Sequence, residues 1–314
     1  MMKKIKITAI LVIFVCSQAL YAEERPSYLF LRTDVGARVA GLNGSFVSMT
    51  NDPLVIFYNP AALTTLTQQR ISLGFERHLL DVNGGHLAYA REYEGLGYFG
   101  AGIHFIDYGS FTETDESMNT LGTFAARDLA ISAGYGTTID EATSIGVGLK
   151  FIYSSLASYT SSALAMDVGV LYQIPAENIT LGASILNLGT QLSSFGMTKE
   201  RLPLDVKIGV TKRPQHLPVL LNLNFHRLNE TNEKLLNRFS AFSIGAEFLM
   251  SESVRFRFGY NNQLRKDLKL GSGAGFAGMS LGGGIVWKDY VIDYAFNSYG
   301  KIGALHRFSL GIAL

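Results

Sequence analysis

The chain has 314 residues, of which 47% are hydrophobic but only 17% charged, with 33 Gly, 20 Phe, 15 Tyr, 7 Pro, a single Cys and a formal net charge of +1. So many aromatics with so few charges exclude a disordered chain. The neutral balance excludes the electrostatic footprint of a nucleic-acid binder. One Cys excludes a disulfide framework and a multi-cysteine zinc site. The six His are scattered singly, without an i,i+4 pair, so no metal and no cofactor is expected.

Residues 1–22 have the layout of an export signal. Lys3, Lys4 and Lys6 precede the apolar stretch Ile7 to Leu20, and small residues lead to Ala22 before Glu23-Glu24. Cleavage is expected after Ala22, with Ala19 as the second choice. Cys16 would leave with the signal.

Residues 23–69 carry Gly36, Gly41, Gly44, Pro53 and Pro60 and a helix-like stretch over Ala37–Met49, without strand periodicity. Their size and position suit a plug inside a wide barrel, whose lumen its own side chains cannot fill.

From residue 70 to the end, apolar residues alternate with small or polar ones. Ile145, Val147, Leu149, Phe151 and Tyr153 fall on one face, with Gly146, Gly148 and Lys150 on the other. Segments of this kind are expected at 70–77, 85–92, 96–106, 127–136, 143–154, 162–173, 179–187, 204–212, 219–227, 239–249, 253–260, 275–287, 290–296 and 305–314. An even number of strands, apolar on one face and polar on the other, with no long apolar run, points to an all-β fold. Specifically, it points to a 14-stranded antiparallel transmembrane β-barrel over 70–314 in a bacterial outer membrane. With both termini periplasmic, the odd connections (78–84, 107–126, 155–161, 188–203 and onward) face outward and exceed the even ones.

Face parity makes residue-level predictions. Lys150 and Asp167 fall on the inner face and would oppose each other across a hairpin centred between Ser158 and Tyr159. Glu247 and Arg255 would pair across the turn at Met250–Glu252. Such pairs add about 0.2–1 kcal/mol to a sheet. Gly278-Met279-Ser280-Leu281-Gly282 matches a nucleophile elbow, with Asp293 and His306 following in hydrolase order. It lies in a Gly-rich strand rather than a strand–turn–helix, and His306 falls on the outward parity. A base across the wall cannot take the serine proton, so no enzyme is expected.

Two sets of motifs carry a resemblance. Phe30-Leu31-Arg32-Thr33-Asp34-Val35-Gly36-Ala37-Arg38, with Gly41, Gly44 and Tyr58-Asn59-Pro60-Ala61-Ala62-Leu63, resembles the N-terminal signature of the PorV/PorQ family, relatives of FadL-type outer-membrane transporters. Phe105 to Phe111, Leu121 to Asp128, Gly148 to Ser154 and Ile185 to Gly189 are similar to the PorQ branch, and the likeness spans nearly the whole mature chain.

The resemblance implies a component of the type IX secretion system that belongs to the surface attachment complex with PorV-like and PorU-like proteins and anchors a PorZ-like protein at the outer face. It brings no catalytic residues. Within it, Gly36, Ala37, Arg38, Asn59, Pro60 and Ala61 form the plug signature. The outward segment with Asp107, Tyr108, Phe111 and Asp115 is the candidate partner loop, with 188–203 as a second. The competing function is a FadL-like channel for hydrophobic molecules, which needs an apolar pocket between plug and wall.

Overall fold

The computed structural model describes residues 26–230, 238–269, 273 and 275–314. The expected export signal lies outside the described residues. Fourteen strands close into one antiparallel barrel in which each pairs with its sequence neighbours and β1 pairs with β14. They are β1 (Arg70–Arg77), β2 (Asn83–Tyr93), β3 (Gly97–Thr114), β4 (Thr120–Thr138), β5 (Thr143–Leu156), β6 (Tyr159–Ile174) and β7 (Ile179–Ser193). After these come β8 (Asp205–Lys212), β9 (Val219–Phe225), β10 (Phe242–Leu249), β11 (Val254–Asn261), β12 (Met279–Trp287), β13 (Tyr290–Ser298) and β14 (Ala304–Ala313). Closure removes the free edges that an open sheet would expose, as a hydrocarbon environment requires.

The period-2 pattern sorts into an outer and an inner wall. On β5, Ile145, Val147, Leu149, Phe151 and Tyr153 are exposed, whereas Lys150, Ile152 and Ser154 are buried. Phe256 and Phe258 on β11, Leu281 and Ile285 on β12, and Phe308 on β14 continue the apolar exterior. Aromatic clusters mark one rim of the barrel. Phe99 packs 5.4 Å from Tyr93 and 5.1 Å from Tyr135, and Trp287 stacks 6.3 Å from Tyr290. Amphipathic rings at this level are the usual mark of a membrane interface.

That rim carries the even connections, the start of β1 and the end of β14; we call it the turn rim, and its opposite the loop rim. The odd connections are not uniformly longer than the even ones. Ala157-Ser158 alone joins β5 to β6, because Ala157 adopts φ 54° and closes the hairpin in two residues. The segment expected as loop 107–126 is mostly strand, and so are the ends of 155–161. The outward reach comes from longer strands rather than longer loops.

Residues 26–69 thread the lumen from rim to rim. Ser27 N donates to Arg201 O (3.1 Å) at the loop rim, and Thr65 and Gln69 lead into β1 at the turn rim. The sheet itself begins and ends on one rim, as expected, whereas the plug's first described residues lie at the other. The helix over Ala37–Met49 shrinks to α1 (Ala37–Gly41), because Asn43 and Gly44 take positive φ immediately after it. Two 3₁₀ turns follow, Pro53–Phe57 and Pro60–Thr65, each capped by the side chain of the preceding residue, Asp52 and Asn59. Phe46, Leu54, Ile56, Leu63 and their neighbours pack with Ala88, Ala90 and Leu171 of the wall into the main apolar core.

Candidate functional site

The signature residues are the parts that seat the plug. At Gly36 φ is +88°, and a Cβ there would lie 2.5 Å from the Leu54 side chain. Ala37 N donates to Ser309 Oγ on β14 (2.8 Å). Asn59 Oδ1 accepts from Ala61 N (3.1 Å), while Asn59 Nδ2 donates to Val47 O (2.9 Å) and to Val170 O of β6 (3.1 Å). Pro60 opens the turn at a position that needs no amide donor. Ala61 lies against β5 so closely that a Cβ at Gly146 would sit 2.3 Å from its nitrogen.

Arg38 is the electrostatic centre. Its guanidinium donates through Nε and Nη2 to the two Glu247 oxygens (2.9 and 3.0 Å) and through Nη1 to Asp52 Oδ2 (3.0 Å). Glu247 also accepts from Arg257 Nε (2.7 Å), and Arg257 Nη1 reaches Asp293 Oδ1 (2.6 Å). The result is an alternating chain, Asp52–Arg38–Glu247–Arg257–Asp293, that ties plug to wall. Glu247 therefore pairs with Arg257, directly opposite it in the β10–β11 register. Arg255 faces Leu249 instead of Glu247. The connection is four residues, 250–253, and that moves the register by two relative to the expected turn.

Lys150 and Asp167 do meet, Nζ to Oδ2 at 3.0 Å, but diagonally, since Lys150 opposes Ala165 and Asp167 opposes Gly148. A bulge in β7 turns Asn187 inward at φ 61°. Its amide N donates to Asp167 Oδ1 (2.7 Å), its Oδ1 accepts from Lys150 Nζ (2.6 Å), and its Nδ2 donates to Pro203 O (3.1 Å). The hub holds the 194–204 connection down over the loop rim. Beside it, Arg32 Nη1 donates to Glu230 Oε1 (2.8 Å) and Tyr28 hydrogen-bonds Ser161 and Gln191. Asn187 was invisible to alternation, because a bulge is where alternation breaks.

A second buried group sits on β1 and β14. Arg307 Nε donates to Glu76 Oε2 (2.7 Å), and His104 Nε2 lies 3.2 Å from Glu76 Oε1. In the elbow-like segment, Ser280 Oγ donates to Gly41 O of the plug (3.0 Å). His306 is on the outer wall, 2.8 Å from Tyr294 Oη.

The space between plug and wall is divided into separate cavities, and the one nearest the Lys150 hub is small. The cavity beside Val35, Phe57, His104 and Lys150 measures about 20 Å³, room for a single water.

The candidate partner residues lie on an arm rather than a loop. β2 pairs with β3 only as far as Asp107, and β5 pairs with β4 only as far as Ala126. Beyond them Ser110–Thr114 pairs with 120–125, whose last residue, Ala125, still accepts from Ala157 N (3.0 Å) at the arm's base. At 3.3–3.4 Å per residue this two-stranded arm stands roughly 15 Å clear of its neighbours. Its base is braced by Arg127 Nε to Asp107 Oδ2 (3.0 Å) and Tyr108 Oη to Asp128 Oδ2 (2.7 Å), with Gly109 at φ 78° between them. Phe111 stacks on Phe124 (5.3 Å), and Met118 and Leu121 are exposed near the tip. Asp115 caps the end turn. Hydrogen bonds from Asn119, side chain first, and from Ser117 hold its carboxyl below its ordinary value.

Neither a protein-family model nor a curated protein sequence matches the chain. Solved structures do. The toluene transporter TodX of P. putida superposes with a TM-score of 0.60 at 13% identity, over 89% of this chain and 98% of that one. The Ralstonia pickettii toluene transporter TbuX gives 0.58 at 13%, over 88% and 97%. A Pseudomonas aeruginosa FadL homologue gives 0.56 at 9%, over 88% and 97%. At such identities the likeness establishes architecture: this chain is a closed 14-stranded antiparallel barrel of the FadL-like outer-membrane type, and its apolar exterior fits that membrane.

Proposed function

We propose that this protein is a non-catalytic outer-membrane barrel that anchors surface proteins, with its lumen closed, and that its partners are those the PorV/PorQ resemblance implies in type IX secretion. The observation that carries this reading is the arm. A two-stranded ribbon is marginal in water on its own, yet this one exposes Phe111 and Leu121, with Phe124 half-buried beneath Phe111. A docked partner would bury that surface. Joining Asp107 to Arg127 through a two-residue Asn-Gly turn removes the arm and costs the wall the Ala126–Leu156 pair, the bond from Ala157 N to Ala125 O and the Tyr108–Asp128 bond. Co-purification of the surface partner is expected to be lost while the barrel keeps its heat-modifiable mobility on a gel. A partner retained at parental yield would defeat the assignment.

The second reading is a channel for hydrophobic molecules, and the fold likeness to two toluene transporters favours it over the anchor. It requires an open apolar path, whereas the plug meets the wall through a packed apolar core and buried ion pairs. Proteoliposomes holding the full chain are expected to take up toluene no faster than empty vesicles. Saturable uptake would establish the channel instead.

A further inference from the structure

The plug and turn rim enclose a vestibule whose charges are unbalanced. Its cavity of about 430 Å³ is lined by four arginines, Arg38, Arg70, Arg213 and Arg255, against one carboxylate, Glu247. Glu247 is already shared between Arg38 and Arg257, Asp52 is held by Arg38, and Asp293 by Arg257. Among the described residues no carboxylate lies within ion-pair distance of Arg70, Arg213 or Arg255. Arg70 donates once, through Nη1 to Asn51 O (3.2 Å), and its Nε is buried without a partner.

These residues come from four places in the sequence: the first residue of β1, the start of β11, the residue after β8 and the plug. The barrel closure brings them to one mouth. Arg70 and Arg255 also border an adjoining cavity of about 100 Å³ between the plug and β14, where Asp52, Asp289 and Asp293 supply the carboxylates that the larger cavity lacks. Guanidinium groups without a direct ion-pair partner in a partly enclosed space keep unused donors. Their planar forks match the oxygens of phosphate and carboxylate groups. Both Arg70 and Arg255 sit at lumen-facing positions, so an occupant arrives from the aqueous side of the rim, not from the lipid.

We propose that this vestibule is a binding site for a small multivalent oxyanion, a phosphoryl or polycarboxylate group, gripped chiefly by Arg70 and Arg255 with Arg213 at the entrance. The site is independent of whether the barrel acts as anchor or channel. The test is calorimetric titration of the full chain in a neutral detergent, with inorganic phosphate in one arm and citrate in the other. One-to-one saturable binding in the phosphate arm assigns a phosphoryl group, and in the citrate arm alone a carboxylate-bearing solute; either supports the site. Arg255→Gln and Arg70→Gln are each expected to weaken binding by roughly tenfold, the loss of one charge-assisted contact. Lys212→Gln, on the outward parity of β8 at the same rim, is expected to leave it unchanged. Both arginine variants are expected to keep heat-modifiable mobility, since neither guanidinium holds an ion pair. The proposal is overturned if neither anion binds saturably at millimolar concentration. It is equally overturned if Arg255→Gln binds like the parent, or if Lys212→Gln loses as much as the arginine variants.

Discussion

Arg38→Met is expected to destabilise the protein by about 3–5 kcal/mol, the cost of stranding buried charges by removing one partner. The side chain is almost fully enclosed and carries three ion-pair hydrogen bonds, two to Glu247 and one to Asp52. Met fills a similar volume, so the loss is electrostatic rather than a cavity. Asp52 is left with only its cap bond to Leu54 N (2.9 Å), and Glu247 keeps only Arg257. The readout is the urea midpoint for loss of heat-modifiable mobility, with protease cleavage within 26–69 reporting whether the plug leaves first. Adding Glu247→Gln and Asp52→Asn to Arg38→Met removes the stranded charges and is expected to recover most of the loss. Salt should change the effect little, because a pair this enclosed is weakly screened. An Arg38→Met single variant with the parental midpoint would mean that this chain of charges does not hold the plug.

How much of this was legible in the sequence divides along a physical line. Alternation is a local property of each strand, so the fourteen strands and the inward placement of Lys150, Asp167, Glu247 and Ser280 follow from parity alone. Register depends on how many residues each turn uses, and parity is blind to shifts of two. Hence Glu247 faces Arg257 rather than Arg255, and Lys150 reaches Asp167 on a diagonal. The extra length of β3 and β4 was hidden for another reason. Outside the membrane both faces of a ribbon are wet, so the arm's sequence, with Thr112, Glu113, Thr114 and Asp115, lacks the apolar alternation that marks a lipid-facing strand. The plug's path was not readable at all, because it has no period. Its Gly, Asn and Pro positions show only that the backbone turns often, and the wall decides where. The rim arginines were likewise scattered singly along the sequence, and only closure makes them a group.

Gly146→Ala is expected to loosen the plug, although it adds a single methyl group. On β5 the added carbon would lie 2.3 Å from both Ala61 N and Pro60 C, a contact that no pair of unbonded heavy atoms sustains. The obstacle is plug backbone, which is pinned to β6 through Asn59 Nδ2 and Val170 O (3.1 Å) and cannot swing aside as a flexible side chain would. The neighbouring strand offers no slack, since Gly169, directly across from Gly146, is equally tight against Asn59 Oδ1. Either β5 bows outward or the Pro60–Thr65 turn lifts off the wall. Overpacking of this kind costs typically 1–3 kcal/mol. Gly148→Ala is the matched control. It lies two residues along the same strand on the same face, and its added carbon meets nothing nearer than 3.5 Å. Gly148→Ala should therefore match the parent in urea midpoint and in planar-bilayer conductance. Gly146→Ala should unfold at lower urea and show conductance steps as the plug shifts. Equal behaviour of the two variants would mean that the Asn59-Pro60-Ala61 turn does not rest on β5. The signature residues would then need a role other than seating the plug.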